Sequence, residues 1–221
     1  MRLTCLKYAD TFLHERQIFC RGAEDRYRPI ILTFFLIETD DGRRILADTG
    51  CDWLPGFVMR RFRRPSDVLQ DAGASPESVT DVILTHAHLD HAGCAGSYPE
   101  AVFHIQRDEL AGTRAFLPDG ANVRPFEQTA DVAPGVRAIR IGGHTRGSSV
   151  VELRGEGVPL ILGGDECYLH DCFRRGIPTG SSVCPEKSAR FLEEYGASGC
   201  RVVLFHDPAA APGEPGAYRI E

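Results

Sequence analysis

The segment Thr85-His86-Ala87-His88-Leu89-Asp90-His91 constrains this chain more than any other. It sets four ligand-type side chains within six residues, directly after the run Asp81-Val82-Ile83-Leu84. A loop leaving a buried strand is held by a rigid support, so its side chains can converge on one cavity. Imidazoles suit zinc and related divalent ions, and a carboxylate is a harder ligand for the same ions. The plain alternative is a polar loop whose histidines only hydrogen-bond. That alternative fits a lone histidine better than it fits this spacing.

Three later positions repeat the placement. The strand-like run Val136–Gly143 ends on His144, followed by Thr145-Arg146-Gly147-Ser148. Leu160-Ile161-Leu162-Gly163-Gly164 delivers Asp165, and Val202-Val203-Leu204-Phe205 delivers His206. His14, His104 and His170 lack such placement; His104, inside Val102-Phe103-His104-Ile105, reads as a core histidine or one that supports a ligand.

Between these loops the chain reads as clustered strands punctuated by helices. Ile31–Glu38, the turn Asp40-Asp41-Gly42 and Arg43–Ala47 predict a hairpin in a buried sheet. Further strands are expected at Val82–Thr85, Ala101–Ile105, Val136–Ile141, Ser149–Leu153, Val158–Leu162 and Arg201–Phe205. Helices are expected at Ser66–Ala72 and from Pro185 to Tyr195, the latter with Ala189, Leu192 and Tyr195 on one face. Strict βαβ alternation is scarce, which predicts a layered α/β protein with mixed sheets. The tail Pro208–Ala217 reads as an irregular surface segment. A chain of 221 residues can bury a sizeable core, and a single domain over 1–221 fits best.

A net charge of −6 argues against a nucleic-acid partner, which needs a basic face. The eight cysteines form no C-x-x-C pair, so reduced thiols and a cytoplasmic location are expected. Met1–Phe19 is broken by charges, and no stretch approaches the roughly 20 apolar residues of a membrane span. The basic run Arg60-Arg61-Phe62-Arg63-Arg64 reads first as a solvated face and second as a contact for an anionic partner. Trp53, Phe57 and Phe62 either line an apolar pocket or pack their segment down, and Cys94 and Cys167 beside the ligands need no function as small buried hydrophobes.

H-x-H-x-D-H, then a lone His in Gly143-His144-Thr145, a lone Asp in Gly164-Asp165 and a final His206 resemble the metallo-β-lactamase superfamily. Leu46-Ala47-Asp48-Thr49-Gly50 resembles that family's D-T-G turn. The resemblance implies a four-layer αββα sandwich of two mixed β-sheets with two metals at one edge. It implies His86, His88 and His144 around the first metal, Asp90, His91 and His206 around the second, and Asp165 between them. Zinc is the first expectation, with iron, manganese or cobalt as alternatives. β-Lactamases of this fold place a cysteine where Asp165 stands, and flavodiiron proteins carry a Glu in the first motif, which this one lacks.

Within the superfamily the chain most resembles N-acyl-homoserine lactone hydrolases, which carry a tyrosine three residues after the bridging aspartate, as Asp165-Glu166-Cys167-Tyr168 does. Departures are a short stretch between Gly50 and Ser66, another between Arg107 and Arg124, and Arg146 where proline is usual. The resemblance implies opening of a lactone or carboxylic ester by hydroxide held between the metals. Tyr168 would stabilise the oxyanion and Asp90 would carry the proton. A thioester or phosphodiester hydrolase, or an iron-dependent oxidoreductase on the same ligands, stays open as an alternative. The partner expected is a small-molecule substrate, with neither nucleic acid nor membrane; a homodimer is compatible with the sequence.

Overall fold

In the computed structural model, which describes residues 1–221, the run Ile30–Ile37 is apolar at nearly every position because both its faces are covered. Ile31, Phe35 and Ile37 point into an 18-residue core, and Ile30, Leu32, Phe34 and Leu36 point into a second core of 35 residues. The run belongs to the second of twelve strands. The first six are β1 (Arg2–His14), β2 (Tyr27–Glu38), β3 (Arg44–Ala47), β4 (Asp81–Leu84), β5 (Val102–Gln106) and β6 (Asn122–Phe126). The rest are β7 (Thr129–Ala133), β8 (Val136–Arg140), β9 (Ser149–Leu153), β10 (Leu160–Leu162), β11 (Arg201–Val203) and β12 (Gly216–Ile220).

They make two mixed sheets, ordered β12-β1-β2-β3-β4-β5-β6 and β11-β10-β9-β8-β7. β3 to β6 run parallel in the first sheet, and β10 runs parallel to β11 in the second. The smaller core lies between the sheets, where Phe35 meets Phe205 edge-on at 4.7 Å between ring centres. The outer faces are covered by helices. Val68 and Leu69 of the helix Pro65–Asp71 and Phe191, Leu192 and Tyr195 of the helix Pro185–Ala197 join the larger core. The result is the helix–sheet–sheet–helix sandwich expected from the sequence.

Two readings need correction, and three strands went unread. The helix Pro185–Ala197 buries Ser188, Phe191, Leu192 and Tyr195, and Ala189 lies beside that stripe, partly exposed. The tail is not irregular throughout: Gly216–Ile220 pairs antiparallel with β1, from Lys7↔Gly216 to Leu3↔Ile220. β1 itself was hidden by its charges. Lys7 is buried, held by Asp10 at 2.8 Å and by the Gly213 carbonyl at 2.6 Å, so a cation sits where the pattern shows a polar break. β6 and β7 lie at sheet edges and carry too little apolar alternation to stand out. No helix is long and apolar enough to cross a membrane, and all eight cysteines are free thiols.

The basic run serves as a fastener. Arg60 and Asp10 exchange two backbone hydrogen bonds, at 2.7 and 3.0 Å. Arg61 pairs with Asp10 and Glu214, Arg63 with Asp71, and the Arg60 guanidinium lies 4.9 Å from the centre of the Phe12 ring. These contacts tie the base of the loop 51–59 to β1.

His104 is a core histidine, as read: its Nε2 meets Asp81 Oδ1 at 2.9 Å, at the start of β4 and far from that strand's ligand-bearing end. Burial opposes the Asp81 charge, but the His104 and Thr80 hydrogen bonds and Arg43 outweigh it and lower its pKa. Asp81→Asn is therefore expected to cost about 1–3 kcal/mol at pH 7. A carboxyl held below its ordinary value contributes fully above about pH 4 and loses that contribution as pH falls through its folded pKa. Denaturant midpoints of parent and variant should thus differ at pH 7 and converge in acid; a gap independent of pH would contradict the assignment.

Candidate metal centre

β4, β8, β10 and β11 all end at the same side of the sandwich, and their following loops carry the seven residues singled out in the sequence. His86, His88, His144 and Asp165 form one group whose ligand atoms all lie within 4.8 Å of one another; Asp90, His91 and His206 form a second. In the first, His88 Nδ1 lies 3.0 Å from both His86 Nε2 and His144 Nε2, so three ring nitrogens point at one place. In the second, His91 Nε2 and His206 Nε2 are 3.3 Å apart, each 3.8 Å from Asp90 Oδ2.

Asp165 is shared between them. Its Oδ1 is 3.2 Å from His91 Nε2 and 3.1 Å from His206 Nε2, whereas its Oδ2 is 3.7 Å from His86 Nε2 and 3.5 Å from His144 Nε2. Oδ1 is buried without a hydrogen-bond partner, an unusual state for a carboxylate oxygen.

The far nitrogens of four rings are held, which settles their tautomers. His206 Nδ1–H donates to the Ile31 carbonyl at 2.9 Å, and His91 Nδ1–H to Asp48 at 2.6 Å. Thr85 gives its only hydroxyl proton to Asp48, so its oxygen accepts from His86 Nδ1–H at 3.0 Å. Thr179 must donate to the Gln17 carbonyl; Ser181 then donates to Thr179, and the Ser181 oxygen accepts from Tyr168 and, at 3.4 Å, from His144 Nδ1–H. In its neutral form each of the four rings therefore turns an unprotonated Nε2 inward.

The electrostatics divide the two groups. Burial, then the neighbouring cationic rings, push His86 well below its ordinary pKa, and burial takes His144 down to about 4. Both are neutral imidazoles at pH 7, the form that ligates metal. Burial also opposes charge on His91 and His206, but Asp165 outweighs it and raises both. Those two cationic rings in turn overcome burial and hold Asp165 well below the carboxylate range. An ion in the second group must displace protons.

The sequence reading gave no role to three acidic supports. Asp48, in the left-handed region at φ 66°, is buried and accepts from Thr85 N–H, the Thr85 hydroxyl and His91. Glu166 accepts from the N–H groups of Gly143 and His144 and from Ser148 and Ser188. Glu109 accepts from Ala87, Thr145 and Gly147. Asp48 could have been found, because it too follows a buried strand. The other two carry no such mark.

A cavity of about 270 Å³ opens onto His88, Asp90, Asp165, Tyr168 and His206. Its other walls are mostly apolar: Leu13 from β1, Ile30 and Leu32 from β2, and Leu54 and Phe57 from the fastened loop. Of the three loop aromatics only Phe57 lines it; Trp53 and Phe62 face solvent. A larger groove at Leu110–Pro125 touches none of the clustered histidines, so its size carries no chemistry.

The description of the metallo-beta-lactamase superfamily matches residues 29–185, and the chain belongs to that superfamily. Among curated relatives, an N-acyl homoserine lactonase of Bacillus sp is 28% identical over 170 residues, 65% of this chain and 67% of that one. N-acyl homoserine lactonase AiiB of Agrobacterium fabrum is 26% identical over an alignment that covers 80% of each chain. The fold matches an N-acyl homoserine lactone hydrolase solved with its product N-hexanoyl-L-homoserine, with a TM-score of 0.82 at 20% identity over 93% of both chains. It also matches AidC, a dizinc quorum-quenching lactonase, with a TM-score of 0.75 at 17% identity over 99% of this chain and 93% of that one.

Proposed function

We propose that this chain is a two-metal hydrolase that opens the lactone ring of an N-acyl homoserine lactone or a close ester analogue. The observation that carries the metal assignment is Asp165, buried with one oxygen toward each histidine group. His86, His88 and His144 would hold the first ion, Asp90, His91 and His206 the second, and Asp165 both. The donor set, nitrogen-rich with two carboxylates, suits zinc first and admits iron, manganese or cobalt. Bound there, two such ions supply an activated water at neutral pH and polarise a carbonyl. The relatives named as lactonases and the apolar cavity walls support an acylated lactone as substrate.

The chain's own residues do the rest. A carbonyl bound in the cavity would lie between the ligand groups and Tyr168, and the apolar walls would take the acyl chain and exclude water. Burial and then the Asp165 charge raise the Tyr168 pKa, so its hydroxyl keeps its proton. That proton is given to Ser181 without substrate; turning it to a carbonyl oxygen exchanges one hydrogen bond for another. Asp90, the least buried carboxylate of the site, would carry a proton to the leaving alkoxide.

Tyr168→Phe keeps the ring stacked on His206, 5.2 Å between centres, and removes only the hydroxyl. Losing a lone oxyanion donor costs ~10²–10³ in kcat; here the ions share that task, so a loss of about tenfold is expected, with metal content and Tm nearly unchanged. Turnover at the parent rate would make this tyrosine structural. The function as a whole is tested by offering the zinc-loaded protein acyl-homoserine lactones, thioesters and phosphodiesters side by side. Lactones should be opened with the highest kcat/KM; preference for either other class would displace this reading.

A further inference from the structure

We propose that Glu109 is a positioning residue that sets the distance between the two loops of the first ligand group, without touching an ion itself. The inference rests on the metal assignment proposed above. Glu109 ends the short turn after β5 and is 5% exposed. Its Oε2 accepts from Ala87 N–H at 2.9 Å, and Ala87 lies between His86 and His88. Its Oε1 accepts from the Thr145 hydroxyl at 2.6 Å and Gly147 N–H at 2.8 Å, in the turn that begins at His144. One carboxylate thus ties both loops that supply the histidines of the first group, and none of its hydrogen bonds reaches Asp90, His91 or His206.

Packing makes the tie a rigid one. A Cβ on Gly147 would fall 2.3 Å from Gln106 Oε1 and 2.8 Å from Glu109 Cγ, so the turn presses on this segment from one side. On the other side a Cβ on Gly112 would fall 2.6 Å from the Ala87 Cβ. The segment 106–113 is therefore wedged between the two loops, with no slack to absorb a lost contact.

All three partners donate. In Glu109→Gln the amide nitrogen must face at least one of them, donor against donor, whichever way it turns. Disturbing a partner that orients metal ligands lowers metal affinity by ~10–100-fold. A purely structural acid would weaken both ions alike when removed; a positioning acid weakens one.

The test measures zinc affinity by chelator competition in the full chain, with and without Glu109→Gln, in two backgrounds. With His206→Ala, which leaves the first group intact, the substitution should weaken zinc by about tenfold or more. With His86→Ala, which leaves the second group intact, it should change zinc affinity less than twofold. Equal weakening in both backgrounds, or none in the first, overturns the proposal. If Glu109→Gln does not fold, Thr145→Val removes a single donor and should weaken the first group alone by a few-fold, while Thr145→Ser restores it. Thr145→Val without effect there overturns the proposal. A parent that binds one ion or none overturns the two-metal reading as well, which separates the two failures.

Discussion

Replacing Asp165 by Asn is expected to lower kcat/KM by about 10³-fold or more, equivalent to roughly 4 kcal/mol, and to empty the second ligand group first. Asparagine keeps the shape of the side chain but removes the charge and turns an N–H₂ toward one ligand group or the other. If the amide faces His91 and His206, it meets the oxygen position 3.2 and 3.1 Å from their Nε2 atoms. If it faces His86 and His144, it disturbs the other group. No rotamer serves both. Metal analysis after reconstitution should therefore find fewer than two ions per chain together with the loss of rate. Full occupancy at the parent rate would mean that the shared ligand is some other residue.

Asp48→Asn is expected to cost ~10–100-fold in metal affinity, although residue 48 touches no ion. The Thr85 N–H at 2.7 Å, the Thr85 hydroxyl at 2.8 Å and His91 Nδ1–H at 2.6 Å all donate to its two oxygens. An asparagine must point its amide at a donor in either orientation. Facing His91, it favours the other tautomer, with the proton on Nε2, the nitrogen that turns inward. Facing the Thr85 N–H, it displaces the loop that begins the H-x-H-x-D-H motif. Zinc affinity of purified Asp48→Asn, set beside that of Asp48→Glu, checks this. Affinity at the parent level in Asp48→Asn would refute the tautomer argument.

The seven clustered positions were legible because metal binding needs a few residue types, and because strand ends are marked by the apolar runs before them. The hairpin Ile31–Ala47 and both covering helices were legible for the same reason: burial writes a period into the sequence. What the sequence hid was satisfied polarity. Lys7 looks like a break in β1 until Asp10 and the Gly213 carbonyl are placed around it. Glu109 and Glu166 look like surface acids, since nothing local says that their hydrogen-bond donors arrive from segments 18 to 38 residues away. The basic run Arg60–Arg64 looked able to meet an anion, yet Asp10, Asp71 and Glu214 of the chain itself answer Arg61 and Arg63.

The most direct test of the two-metal lactonase account is a titration of zinc into metal-free protein while ring opening of an N-acyl homoserine lactone is followed. The account predicts no opening above the buffer rate without zinc, and a rate that rises to a plateau at two ions per chain. A plateau at one ion per chain, or opening that persists in the metal-free protein, would contradict it.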